Sequence, residues 1–215
     1  DQTLTWTLHQ SGSDWSVIES TSLRTTTLTS STAGGVRTET VLVQDNASNT
    51  ATKLQRIFQN FGWGQEEMTQ QIANPDAING PALTTTYTYN TTSGTGGYGR
   101  LETVTNPDGS WSRYVYDDTV AGFGNLTAVY RPWQDSPATA SSATSSNCNA
   151  TFYSYVGERN IFLDLPAGAE TKINGTTTGK NTVSYSFPGN APNGQPLRTE
   201  TADTYTASGT TLTAI

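Results

Sequence analysis

The sequence predicts an all-β chain, a series of antiparallel β-hairpin repeats forming a twisted, curved sheet, and three observations carry that expectation. Apolar and polar residues alternate with period two, as in Leu4, Trp6 and Leu8 against Thr3, Thr5 and Thr7. Successive side chains of a strand point to opposite faces, so such a run makes one apolar and one polar face. Between the alternating runs stand residues with turn chemistry, most fully at Asn106-Pro107-Asp108-Gly109. The composition agrees: 33% of the 215 residues are hydrophobic and 13% charged. Thr, Ser, Asn, Gln and Gly make up most of the rest, and β-branched Thr suits a pleated, half-wet surface.

Taken in order, the first strand runs through Leu4, Trp6 and Leu8, and Ser11-Gly12-Ser13-Asp14 turns it back. Trp15 to Leu28 reads as one or two more strands, broken at Ala33-Gly34-Gly35. Lys53 to Phe61 fits two periods, since Leu54, Ile57, Phe58 and Phe61 have helical spacing while Leu54, Arg56 and Phe58 alternate. Phe61-Gly62-Trp63-Gly64 follows as a turn and the neighbours are β, so a strand is expected, with Met68, Gln70 and Ile72 continuing the alternation. Asn74-Pro75-Asp76 and Asn79-Gly80-Pro81 are breakers. Ala138 to Ala150, small and polar without periodicity, reads as an insertion loop and as the place for an internal boundary in an otherwise single region spanning residues 1–215.

The densest signal lies between Tyr98 and Pro132. The runs Arg100–Thr105 and Ser110–Asp117 flank Asn106-Pro107-Asp108-Gly109. Pro107 presets φ for a type I turn, Asp108 tolerates the second central position, and Gly109 accepts the left-handed conformation that closes the hairpin. The second strand would put Ser112, Tyr114 and Tyr116 on one face and Trp111, Arg113 and Val115 on the other. A further turn is expected at Gly122-Phe123-Gly124-Asn125, with Leu126 to Arg131 extended.

Two features recur. Val36-Arg37-Thr38-Glu39-Thr40-Val41 returns as Leu197-Arg198-Thr199-Glu200-Thr201-Ala202. A Tyr-x-aromatic signature appears at Tyr87-Tyr89, Tyr114-Tyr116, Tyr153-Tyr155 and Tyr185-Phe187. After three of these comes Gly, then a polar residue and Leu: Gly99-Arg100-Leu101, Gly124-Asn125-Leu126 and Gly194-Gln195-Pro196-Leu197. Such self-similarity at unequal spacing is expected of a degenerate repeat array with insertions.

Tyr114-Val115-Tyr116-Asp117 followed by Gly124-Asn125-Leu126, with Gly99-Arg100-Leu101 and Asn106-Pro107-Asp108-Gly109 ahead of them, resembles the YD repeat of the RHS proteins. The third signature, Tyr153-Tyr155, departs from the pattern because no Gly-polar-Leu comes after it. The resemblance implies a segment of a large, bacterial, secreted or surface chain whose hairpins wind into a β-sheet shell, often hollow and in some cases enclosing a toxic segment. It also implies a container or scaffold role, with no cofactor and no catalysis.

Charge narrows the partners. A net charge of −7 with 11 Lys and Arg disfavours nucleic acid, whose phosphates must be neutralised by cations, and disfavours an anionic membrane surface equally. No run approaches the roughly 20 apolar residues that span a bilayer, and no basic-then-apolar leader opens the sequence. An open sheet presents unpaired N–H and C=O groups at its edges, so the expected partners are neighbouring repeats or further copies of the chain.

The catalytic candidates are sparse. His9, the single histidine, falls at a strand end without a nucleophile motif, and Cys148 stands in the Ser-rich loop. Asp117 and Asp118 are adjacent, which on a strand sends their carboxylates to opposite faces rather than into an acid–base pair, and Asp117 is expected to anchor a turn through backbone N–H groups. The remaining candidates are aromatic: Trp63, Trp111 and Trp133 could stack against sugar rings, or serve as core and cross-strand partners.

Overall fold

The alternation read from the sequence becomes extended backbone along most of the chain. The structure, a computed structural model, describes residues 3–78, 80–119, 124–134, 136–155, 166–186, 197–205 and 211–214. Among these residues there is no α-helix, and one turn of 3₁₀-helix spans Ala140–Ser142. The strands follow one another in a single open antiparallel sheet in the order of the chain. Two units divide it, Asp1–Thr88 with Val104–Gly109, and Tyr89–Thr103 with Ser110–Ile215.

The first unit contains β1 (Thr5–Ser11), β2 (Asp14–Ser20), β3 (Arg24–Ala33), β4 (Val36–Asp45), β5 (Thr50–Asn60), β6 (Glu66–Ala73) and most of β7 (Leu83–Tyr89). The segment with two possible periods is therefore strand from Lys53 through Asn60, because its edges pair with β4 and β6, and Phe61 begins the turn that follows. The β3–β4 hairpin turns on Gly34 and Gly35, both at positive φ (59° and 79°). That pair of angles is the requirement of a two-residue type I′ turn, which matches the twist of the flanking strands. At the other end of β4, Asp45 accepts from the backbone N–H groups of Ala47 and Asn49 and from the Asn49 amide, which fixes the β4–β5 turn.

The register of this unit has a consequence for its two faces. Leu8 stands opposite Val17, Val17 opposite Leu28, Leu28 opposite Val41, Val41 opposite Leu54, Leu54 opposite Ala73, and Ala73 opposite Leu83. Directly opposed residues of an antiparallel pair share a face, so one apolar row crosses the sheet from β1 to β7. The next row on the other face is His9, Ser16, Thr29, Thr40 and Gln55. None of the apolar row is buried: Leu8 is 69% and Leu83 49% exposed, and the five between are half-buried.

β8 (Leu101–Thr105) leads into the Asn106–Gly109 turn, where the Gly109 N–H donates to the carbonyl of Asn106 (3.0 Å) and Gly109 has φ 82°. The second unit then runs through β9 (Trp111–Tyr116), β10 (Leu126–Arg131), β11 (Asn149–Tyr155), β12 (Pro166–Ile173), β13 (Thr176–Ser186), β14 (Leu197–Tyr205) and β15 (Thr211–Ala214). Its small core gathers Trp111, Ala143, Cys148 and Ala150, with Tyr130 and Phe152 edge-on to each other at 5.9 Å. The Ala138–Ala150 stretch thus lies inside this unit, folded against β9. Its small residues carry no periodic signal, yet their size is what lets the segment close over the indole of Trp111. Val36–Val41 and Leu197–Ala202, the recurring six residues, each open a strand, β4 and β14.

Candidate functional site

Of the residues that carry the recurring signature, those from Tyr89 to Leu101, Tyr114 to Asp117, Gly124 to Leu126 and Tyr153 to Tyr155 lie in the second unit, and Tyr87 lies in the first. Phe187 and Gly194 to Pro196, like Gly122 and Phe123 of the expected turn, lie outside the described residues. Tyr89 is followed by Asn90, whose N–H donates to the carbonyl of Arg100 while its own carbonyl accepts from Gly99, both at 2.9 Å. Tyr116 is followed by Asp117, whose N–H donates to the carbonyl of Asn125 while its carbonyl accepts from Gly124, both at 2.8 Å. The two junctions are the same: an Asn or Asp after Tyr-x-Tyr exchanges a pair of backbone bonds with the Gly-polar dipeptide ahead of Leu.

A side chain then ties each junction to the next signature. The phenol of Tyr116 donates to the carbonyl of Leu101, 15 residues back, and the phenol of Tyr155 donates to the carbonyl of Leu126, 29 residues back, each at 2.9 Å. Leu101 and Leu126 are the first residues of β8 and β10. The longer separation in the second case holds the Pro132–Cys148 excursion. Tyr153-Tyr155 therefore joins the series through Gly124-Asn125-Leu126 on its N-terminal side. Its departure from the pattern on the C-terminal side stands, since no Gly-polar-Leu follows it.

The first junction rests on the second. The carboxylate of Asp118 accepts from the Gly96 N–H at 2.7 Å, and Gly96 and Gly97 are buried. A methyl group on Gly96 would overlap the carbonyl oxygen of Asp117 and come within 2.6 Å of the Gly124 nitrogen. Asp117 turns its carboxylate to the N–H of Thr119 (2.7 Å), the turn-anchoring role expected of it. The Arg100 guanidinium lies 5.5 Å from the centre of the Tyr116 ring. Burial pushes the Tyr116 phenol above its ordinary value, with Arg100 partly opposing, so it stays protonated and remains a donor at neutral pH.

Of the other residues singled out from sequence, Tyr87 lies in β7 and Tyr114 in β9 opposite Val129. Pro107 and Asp108 form the turn before β9. Arg113, on the Trp111 face as expected, reaches the carbonyl of Ala143 (3.5 Å). Gly96 and the junction roles of Asn90 and Asp118 escaped the sequence reading, although an Asx residue after both Tyr-x-Tyr pairs is a signal that could have found Asn90.

The aromatic candidates separate by burial. Trp111 is 3% exposed and closed to any sugar, because the Ala138–Ala150 segment covers it. Trp63 stacks on Phe61 at 4.4 Å and 6° in the first unit. Trp133 is exposed and edges an open cleft of 580 Å³ with Gln134, Ser136, Ser146, Asn147 and Asn174. Among the described residues no three His, Cys, Asp or Glu side chains gather as a metal site would require, and no helix is long and apolar enough to cross a membrane.

No family model, no curated protein and no solved structure matches this chain.

Proposed function

We propose that the chain is a structural, non-catalytic segment of a large secreted or surface-exposed YD-repeat protein, contributing β-sheet wall to a shell or scaffold. The observation that supports this most directly is the duplicated junction, Tyr89-Asn90 on Gly99-Arg100 and Tyr116-Asp117 on Gly124-Asn125, closed each time by the same two backbone bonds. In an array of such units each leans on its neighbours, and the sheet extends by adding hairpins rather than by enclosing one large core. Every residue of β1 is exposed, as suits an edge to which a neighbouring repeat or another copy adds a strand. Hydrogen exchange on a Tyr116→Phe variant tests the reading. In an array, protection falls in β8, β9 and β10 and is retained in β2 to β5; loss of protection along the whole chain overturns it.

The Trp133 cleft favours a second reading, a carbohydrate-binding or adhesive module. An exposed indole beside amides and hydroxyls has the chemistry to take a sugar ring. Titration of the chain with neutral oligosaccharides, monitored by indole fluorescence, decides it. Saturation that disappears in Trp133→Ala supports the module, and no response at millimolar sugar removes it.

A further inference from the structure

We infer that the apolar row crossing β1 to β7 is a docking face for a second copy of the same face, the two sheets packing as a two-fold sandwich. The row alternates in size, Leu, Val, Leu, Val, Leu, Ala, Leu, and none of its members is buried. A two-fold axis parallel to the strands and midway between β3 and β4 sets Leu28 over Val41 of the second copy, Val17 over Leu54, and Leu8 over Ala73. Each contact then joins a leucine to a smaller side chain, the arrangement that lets two facing layers interdigitate about 10 Å apart.

Charge and area fit the same occupant. The neighbouring row on this face reads Gln10, Trp15, Ser30, Glu39, Arg56 and Gln71. The same axis sets Trp15 over Arg56 of the second copy and Gln10 over Gln71, so a guanidinium faces an indole, while each Glu39 stands over the buried Ser30 with its own Arg37 paired to it. Strands about 4.8 Å apart, with about seven residues at 3.4 Å each, give a face on the order of 700 Å² per copy. That approaches the ~800 Å² per partner of a standard stable interface. The opposite face, rich in Thr, Ser and Gln, has no comparable apolar row.

The contact is made through a face, whereas the wall reading concerns edges and hairpin-to-hairpin support, so the two fail separately. The test is a Val17→Cys/Leu54→Cys double variant of the full chain, treated with a thiol-reactive cross-linker whose reach is no more than about 10 Å, the spacing of two packed sheets, and run on a denaturing gel. Within one copy these positions are three strands, about 14 Å, apart and beyond that reach; across the two-fold they face each other within it. The expected result is a covalent dimer from the double variant and none from either single variant. Light scattering on the unmodified chain should give the mass of two chains, falling to one in Val41→Lys and remaining two in Leu42→Lys, which points to the other face. A one-chain mass for the unmodified protein, no covalent dimer, or equal cross-linking by the single variants would overturn the inference. It would leave the exchange test of the wall reading untouched, and if Val41→Lys does not fold, the cysteine pair still decides.

Discussion

The hydroxyl of Tyr116 donates to the backbone carbonyl of Leu101 at 2.9 Å, reaching from the last residue of β9 to the first residue of β8. Tyr155 and Leu126 repeat the contact at the same distance. A repeated hydrogen bond from a half-buried phenol to a strand-end carbonyl works as a latch: it fixes where the next hairpin lies.

Tyr116→Phe removes the donor and leaves the ring. The expected cost is about 1 kcal/mol, the net value of one such hydrogen bond. Tyr155→Phe should cost a similar amount, and because Leu126, the acceptor of the second latch, stands directly opposite Tyr116 in the sheet, the two losses should couple rather than simply add, strict additivity showing independent latches. Chemical denaturation of the four proteins measures this. A double variant no less stable than either single one would show that the latches act as one.

Gly96→Ala should be far more damaging than Gly109→Ala. At Gly96 the added methyl meets backbone on two sides, the Asp117 carbonyl and the Gly124 nitrogen, neither of which can yield without opening the junction. A loss of roughly 2–4 kcal/mol is expected there. At Gly109 no atom lies within 4 Å of the new methyl, and the left-handed backbone (φ 82°) sets the penalty at about 1 kcal/mol. Equal losses in thermal unfolding would contradict the abutting junctions.

The latch also has a pH signature. Burial raises the Tyr116 phenol above the ordinary value of 10.0. Its contribution is whole below that ordinary value and is lost as pH rises through the raised one, because the unfolded chain ionises first. The stability gap between the unmodified chain and Tyr116→Phe should therefore hold from pH 7 to pH 9 and shrink in stronger alkali. Glu170 behaves oppositely: the Thr177 hydroxyl first, then Lys172, hold its carboxyl below the usual value of 4.5 despite some desolvation. Its contribution is whole above that value and is lost as pH falls through the lowered one, so Glu170→Gln should lose its effect on stability in acid.

Cys148 has no exposed surface, its Sγ–H points to the Thr144 carbonyl (2.8 Å), and burial pushes its thiol up. A neutral disulfide reagent at pH 8 should label it slowly in the folded chain and at once in denaturant. Trp111→Ala, which empties the centre of the same cluster, should cost about 3–5 kcal/mol and speed that labelling. Rapid labelling of the unmodified folded chain would mean that the Ala138–Ala150 segment does not close over the core.

The sequence by itself determined the class of structure. Alternation is local, so Leu4-Trp6-Leu8 and Trp111-Arg113-Val115 declare strands wherever they sit, and Gly34-Gly35 or Asn106-Pro107-Asp108-Gly109 declare turns through their own backbone limits. It showed that Tyr-x-Tyr and Gly-polar-Leu recur, but not which belongs to which, because the latch joins Tyr155 to a leucine 29 residues back across an insertion of no fixed length. Tertiary structure alone decided that pairing, the need for Gly96 between two abutting junctions, and the burial of Trp111 under an aperiodic loop. Register decided the apolar row: each strand contributes one residue to it, and only the lateral alignment of strands, set by the turn between each pair, brings Leu8, Val17, Leu28 and Val41 onto one line.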